Sequence, residues 1–157
     1  PSSQAAYLPS SQGAYLPSFQ AAYLPSFQHP CPASLLVAYV ASFQAISATG
    51  AKPVACDVQS DSLTLDWRDA ERRLTKRTKA IMPVHYSGGV GDLFEINSFA
   101  VKHGLRVIED AAHAFGTVLQ GQRVGSFGDI ACFSFDGIKN ITSGEGGCIV
   151  TDDVVWH

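Results

Sequence analysis

From about residue 35 onward, the hydrophobic positions switch repeatedly between a helical and a strand-like spacing. Leu36, Tyr39, Val40, Phe43 and Ile46 recur at intervals of three and four, with Ser34 placed to cap and Gly50 to stop, so the spacing predicts a helix over about 35–48. The short apolar run from Pro53 to Val58, bounded by polar residues, predicts a buried strand. Asp66 is placed to cap a second helix through Trp67, Ala70 and Leu74, and Ala80 to Val84 is again strand-like. Asp92 followed by Glu95 has capping-box spacing, and the stripe Leu93, Ile96, Phe99, Ala100 ends before Gly104, which predicts a third helix. Val107 to Glu109, Ile130 to Phe135 and Cys148 to Thr151 are the remaining strand candidates. Helices alternating with strands predict an α/β fold, a mainly parallel sheet with helices on both faces. Such sheets bind ligands beyond the C-terminal ends of their strands.

The first 28 residues lack this alternation. An eight-residue unit repeats there, P-S-S-Q-A-A-Y-L, P-S-S-Q-G-A-Y-L, P-S-F-Q-A-A-Y-L and then P-S-F-Q. A proline at 1, 9, 17 and 25 removes an amide donor each time and disfavours helix in the residue before it. Hairpin-like turns or disorder are expected, and the chain divides into a low-complexity stretch over 1–32 and an α/β portion over 33–157.

Composition narrows the function. Eleven Lys and Arg stand against 14 Asp and Glu, for a net charge of −3 in 157 residues, and the short cluster Arg72, Arg73, Lys76, Arg77, Lys79 is the longest basic run. That balance argues against nucleic acid as a partner. Cys31, Cys56, Cys132 and Cys148 form no C-x-x-C pair, so neither a metal site nor a disulfide framework is expected. No continuous apolar stretch of membrane-spanning length appears, and the N-terminus lacks a secretory pattern, so a cytoplasmic protein without membrane contact is the expectation.

Two strings carry candidate chemistry. V-I-E-D-A-A-H-A-F-G, at 107 to 116, puts Asp110 at the end of a predicted strand, and C-F-S-F-D-G-I-K-N-I-T-S-G-E-G-G puts Lys139 just beyond another. Taken singly, these residues have plainer readings. Lys139 is a surface charge, Asp110 a helix cap or turn residue, His113 a satisfied half-buried imidazole, Ser134 a small strand residue and Tyr39 a core residue of its helix. The glycines around Glu145 mark a tight turn, and Gly88, Gly89 and Gly91 lack the order of a nicotinamide-binding loop.

Together, with G-A-K-P-V at 50 to 54, T-K-A-I-M-P-V-H at 78 to 85 and G-D-I at 128 to 130, the strings resemble the DegT/DnrJ/EryC1/StrS sugar aminotransferases. The resemblance covers about residues 35–153 and implies part of an aspartate-aminotransferase-like large domain that binds pyridoxal 5'-phosphate. It implies that Lys139 forms the Schiff base with the cofactor aldehyde and moves the proton in transamination, a role that needs a neutral amine. By the same resemblance Asp110 pairs with the protonated ring nitrogen and keeps the ring an electron sink. His113 lies near the ring hydroxyl, Ser134 contacts the phosphate and Tyr39 stacks on the ring. The implied reaction moves an amino group, from glutamate as donor, to a nucleotide-linked keto-sugar, in a protein whose full-length relatives are homodimers. Sugar dehydratases of the same family carry histidine at the lysine position, so Lys139 favours amino transfer. The family's glycine-rich phosphate-binding turn and its smaller C-terminal domain are not recognisable, so a truncated, catalytically inactive relative or interaction module is the competing expectation.

Overall fold

The computed structural model describes residues 4–8 and 40–153. Tyr39 and Ser34, and most of the octapeptide repeats, lie outside the described residues. A five-stranded sheet runs in the order β1-β7-β6-β3-β2, with β1 Gln4–Leu8, β2 Ala80–Ile81, β3 Arg106–Asp110, β6 Ile130–Ser134 and β7 Gly147–Thr151. A small hairpin of β4 Val118–Leu119 and β5 Gln122–Arg123 stands apart. The helices are α1 Val40–Ala48, α2 Trp67–Arg73 and α3 Leu93–His103.

The fold is α/β with a mixed sheet. The pairs β2·β3 and β3·β6 are parallel, whereas β7 runs antiparallel to β6 and β1. The crossover logic that predicts parallel pairing holds where α3 separates β2 from β3. No helix lies between β6 and β7; a turn-rich loop returns the chain in the opposite direction. Gln4–Leu8, expected as turn or disorder, is a strand on the β7 edge. It falls between Pro1 and Pro9, so five consecutive residues keep the amides a ladder requires.

One face of the sheet carries most of the packing. Along β3 the side chains of Val107 and Glu109 point to it, and the parallel register sets Glu109 beside Ala131, so Ala131, Phe133 and Cys148 share that face. At one end Val107 packs with Ile81, Ile96, Phe99, Ala100 and Leu105 under α2 and α3. At the other, Ala131 and Phe133 pack with Ala111, Ala114 and Val124. Leu93 and Ile96 are fully buried, each worth roughly 1.5–3 kcal/mol in transferred apolar surface. On the opposite face, where the parallel frame predicts a second helical layer, α1 is the described helix, and Ser42 is its buried residue. Val40 in the expected apolar stripe is 66% exposed.

Local chemistry explains where the elements differ from the sequence pattern. Asp66 caps α2 through a 3.0 Å bond from the Arg68 amide to its carboxylate. Asp92 precedes α3 as expected, yet makes no side-chain cap bond, because its carboxylate accepts a 2.6 Å bond from Gln59 Nε2 instead. Gly104 ends α3 in the left-handed conformation, φ +64°, which a residue with a Cβ adopts at a cost. The expected strand over 53–58 does not form; the segment's ladder contact is an isolated bridge from Val58 to Leu65. Pro53 lacks a donor, and residues 57–66 close on themselves through Gln59 N to Thr64 O and Asp66 N to Asp57 O, both 2.9 Å. Likewise β2 shortens to two residues, since Pro83 interrupts the ladder before Val84 bridges to Asp110. Among the described residues no helix is long and apolar enough to cross a membrane.

Candidate functional site

Parallel pairing of β3 with β6 delivers two loops to one edge of the sheet. Asp110 ends β3 and Ser134 ends β6. Asp110 and Cys132 are register partners, and Ser134 follows Cys132 by two residues. Strand alternation therefore puts Asp110, Cys132 and Ser134 on the same face, opposite the buried Glu109, Ala131 and Phe133.

Beyond β3 the chain turns tightly. The Ala112 amide donates to Asp110 Oδ1 at 3.2 Å, and the Ala114 amide to Ala111 O at 2.9 Å, which turns His113 back over the edge. Beyond β6, Lys139 N donates to Asp136 O at 3.0 Å, while the Ile138 amide donates to Asp136 Oδ1 at 3.2 Å. This compact turn carries the Lys139 amine to 3.2 Å from His113 Nε2. The ammonium donates to Nε2 when the imidazole proton sits on Nδ1.

The two loops are held in register by an aromatic cluster and by a polar link. The Phe115 ring meets Phe133 and Phe135 edge-on, with centroids 5.3 Å away in both cases. Asn140, next to Lys139, donates from Nδ2 to Phe115 O at 2.9 Å. A third loop reaches the same edge after β2. There the Tyr86 ring stands edge-on to His113 at 6.3 Å, and Thr117 Oγ1 donates to Gly88 O at 3.3 Å. Gly88 has φ +83°, and an added Cβ would lie 3.3 Å from His113 O, so a side chain there is both strained and crowded.

Asp110 is held through both its backbone and its side chain. Pro83 O accepts its amide at 2.9 Å and its carbonyl accepts the His85 amide at 3.0 Å. Its Oδ2 accepts a short hydrogen bond from the Ser42 hydroxyl. Burial pushes the Cys132 thiol above its ordinary range, and the nearby Asp110 carboxylate pushes in the same direction. Next to it in the chain, Glu109 is fully buried, accepting the Gly128 amide at 2.8 Å and meeting His85 Nε2 at 2.7 Å. Gly128 permits that approach, since a Cβ there would fall 3.0 Å from Val107 and 3.1 Å from Glu109 Oε1.

Asp110, His113, Ser134 and Lys139 are thus brought to one end of the sheet. Tyr39 lies outside the described residues. Ser134 Oγ accepts the Asp136 amide at 3.4 Å, which ties it to the start of the lysine turn. Sequence reasoning missed Ser42, whose contact with Asp110 spans 68 positions and has no periodic signature. It also missed the His85–Glu109 pair, although burial of Glu109 was legible in the strand alternation. Two grooves elsewhere, of about 280 and 480 Å3, lie against α3 and at the N-terminal end of β3. Neither includes Asp110, His113, Ser134 or Lys139.

The sheet and helices that carry these residues match the fold of solved aminotransferases. Helicobacter pylori PseC, an aminotransferase involved in the biosynthesis of pseudoaminic acid, superposes with a TM-score of 0.73 at 33% identity, over 77% of this chain and 32% of that one. A putative sugar aminotransferase from Streptococcus pneumoniae in its PLP form gives 0.71 at 32% identity, over 79% of this chain and 35% of that one. The chain belongs to the DegT/DnrJ/EryC1/StrS aminotransferase family, whose model matches residues 36–156. It is 45% identical to the GDP-perosamine synthase of Vibrio cholerae over 114 residues, 73% of this chain and 31% of that protein. The chain spans about a third of the length of these relatives.

Proposed function

We propose that this chain carries the lysine-bearing part of a pyridoxal-phosphate-dependent sugar aminotransferase, with Lys139 as the residue that holds the cofactor. The observation that carries the reading is the 3.2 Å approach of Lys139 Nζ to His113 Nε2 at the edge where Asp110 ends its strand. Family membership over 36–156 and likeness to a neighbour in its PLP form support the same reading.

The donor set fits the cofactor chemically. Lys139 supplies an amine for the aldehyde, Asp110 an anion for the ring nitrogen, His113 a ring nitrogen for the hydroxyl side and Ser134 a hydroxyl for the phosphate, with Tyr39 as the stacking aromatic. When bound, the cofactor supplies an electron sink for charge developing at the carbon that exchanges the amino group. Lys139 then serves as the group that takes and returns a proton at that carbon. His113 holds Nζ beside the edge in the resting chain, and Asp110, fixed by the Ala112 amide and Ser42, presents a preoriented anion. The acceptor is a nucleotide-linked keto-sugar and the donor glutamate, in a homodimeric protein whose 33–157 segment belongs to the cofactor-binding domain. Lysine rather than histidine at 139 separates this reading from sugar dehydration.

Incubation with pyridoxal phosphate, borohydride reduction and peptide mapping tests it. The expected result is one reduced adduct, on Lys139. Labels spread over Lys52, Lys79 or Lys102, or no label on a chain whose folded state is verified by circular dichroism, would remove the cofactor role and leave an inactive relative.

A further inference from the structure

We infer that Ser42 is a positioning residue for Asp110, fixing which way its carboxylate faces; the inference rests on the cofactor reading above. Ser42 is the buried residue of α1, 8% exposed, whereas its apolar neighbour Val40 is 66% exposed. A helical serine usually satisfies its hydroxyl on the carbonyl one turn back. Ser47 of the same helix does so, donating to Phe43 O at 2.9 Å. The Ser42 hydroxyl instead leaves the helix and donates to Asp110 Oδ2, across 68 positions of sequence.

The consequence for Asp110 follows from counting acceptors. The Ala112 amide holds Oδ1 and the Ser42 hydroxyl holds Oδ2, one from each side of the carboxylate. Rotation about its terminal bond would break both contacts. A carboxylate offers about four lone-pair directions, so sites remain on each oxygen for a cationic ring N–H. Ser42 thus sets the orientation of Asp110 without itself reaching the reacting atoms, and it fastens α1 to the strand edge.

The full 157-residue chain and its Ser42→Ala, Ser42→Cys and Ser42→Thr variants are titrated with pyridoxal phosphate. Affinity, the pH midpoint of the coenzyme–lysine absorbance and the mapped adduct are recorded, with circular dichroism to verify folding. Ser42→Ala should keep the adduct on Lys139 yet bind roughly 10-fold more weakly, as expected for loss of one hydrogen bond to a charged group. Its absorbance midpoint should move upward, because a less firmly held Asp110 leaves less positive charge on the ring. Ser42→Cys retains volume with a weak donor and should move the same way, so the test survives should Ser42→Ala fail to fold. Ser42→Thr keeps the hydroxyl and should restore both readouts. Unchanged affinity and midpoint in folded Ser42→Ala or Ser42→Cys, with the original chain labelled at Lys139, overturn the Ser42 assignment alone. Failure of the original chain to label at Lys139 overturns the cofactor reading and this inference with it.

Discussion

Glu109 and Asp110 are adjacent carboxylates on one strand, and their surroundings could hardly differ more. Glu109 points into the packed face, fully buried, where it ties β3 to the Gly128 turn and to His85. Asp110 points to the other face, half-buried, where its side chain meets two hydrogen-bond donors and a nearby thiol. Strand alternation alone produces the contrast. One residue's side chain is consumed in holding three segments together; the next is held still but keeps acceptor capacity. Buried pairs such as His85–Glu109 are weak evidence for net stability but cost much when broken. His85 Nδ1 has no hydrogen-bond partner among the described residues, so this pair is not a fully satisfied network.

The sharpest way to break the comparison is at the loops it supports. Lys139→Ala should abolish covalent capture of pyridoxal phosphate while changing unfolding free energy by less than about 1 kcal/mol, since the residue is half-exposed. A comparable loss of stability would mean that the lysine turn is structural. The carboxylates themselves come next. Glu109→Ala should cost roughly 3–5 kcal/mol in denaturant unfolding by orphaning His85 and the Gly128 amide. Asp110→Ala should cost only about 1 kcal/mol while weakening cofactor binding. Equal stability losses at the two positions would erase the distinction between the faces.

Apolar residues sharpen the same contrast. Phe133, 7% exposed on the packed face, should cost roughly 3–5 kcal/mol on truncation to alanine. Ile149, 41% exposed on the other face, should cost under about 1 kcal/mol by the same thermal or chemical unfolding.

The smallest expected effect concerns acid. Burial pushes the Asp69 carboxyl upward, but bonds from Arg73, the Asp57 amide and Arg72 outweigh it, leaving Asp69 below the ordinary carboxylate range. A group whose folded value is depressed contributes stability above its unfolded value and loses it as pH falls through the folded one. Asp69→Asn should therefore be less stable near neutrality and lose less on acidification below about pH 4 than the original chain. Parallel curves would show that Asp69 contributes nothing to acid sensitivity.

How much of this was legible in sequence depends on the range of the interaction. The α2 and α3 boundaries followed from local signals, a capping aspartate and a left-handed glycine, and β3 and β6 from alternation. The candidate residues Asp110, His113, Ser134 and Lys139 were named through the resemblance of two strings to a family, and the fold brings them to one end of the sheet. The reversal at β7 was not, because pairing direction depends on the loop that joins two strands rather than on either strand's pattern. Nor was the loss of the 53–58 strand, where Pro53 and a self-closing turn overrode an apolar run. Ser42 escaped because a polar residue among exposed helical positions carries no periodic cue to a partner 68 residues away.

A crystal structure of the chain soaked with pyridoxal phosphate tests the central claim most directly. Continuous density from Lys139 Nζ to the coenzyme, with the ring nitrogen against Asp110 and the phosphate toward Ser134, is the result this account predicts. Coenzyme bound in a groove beside α3, or an adduct on another lysine with Asp110 still held only by Ser42 and the Ala112 amide, would contradict it.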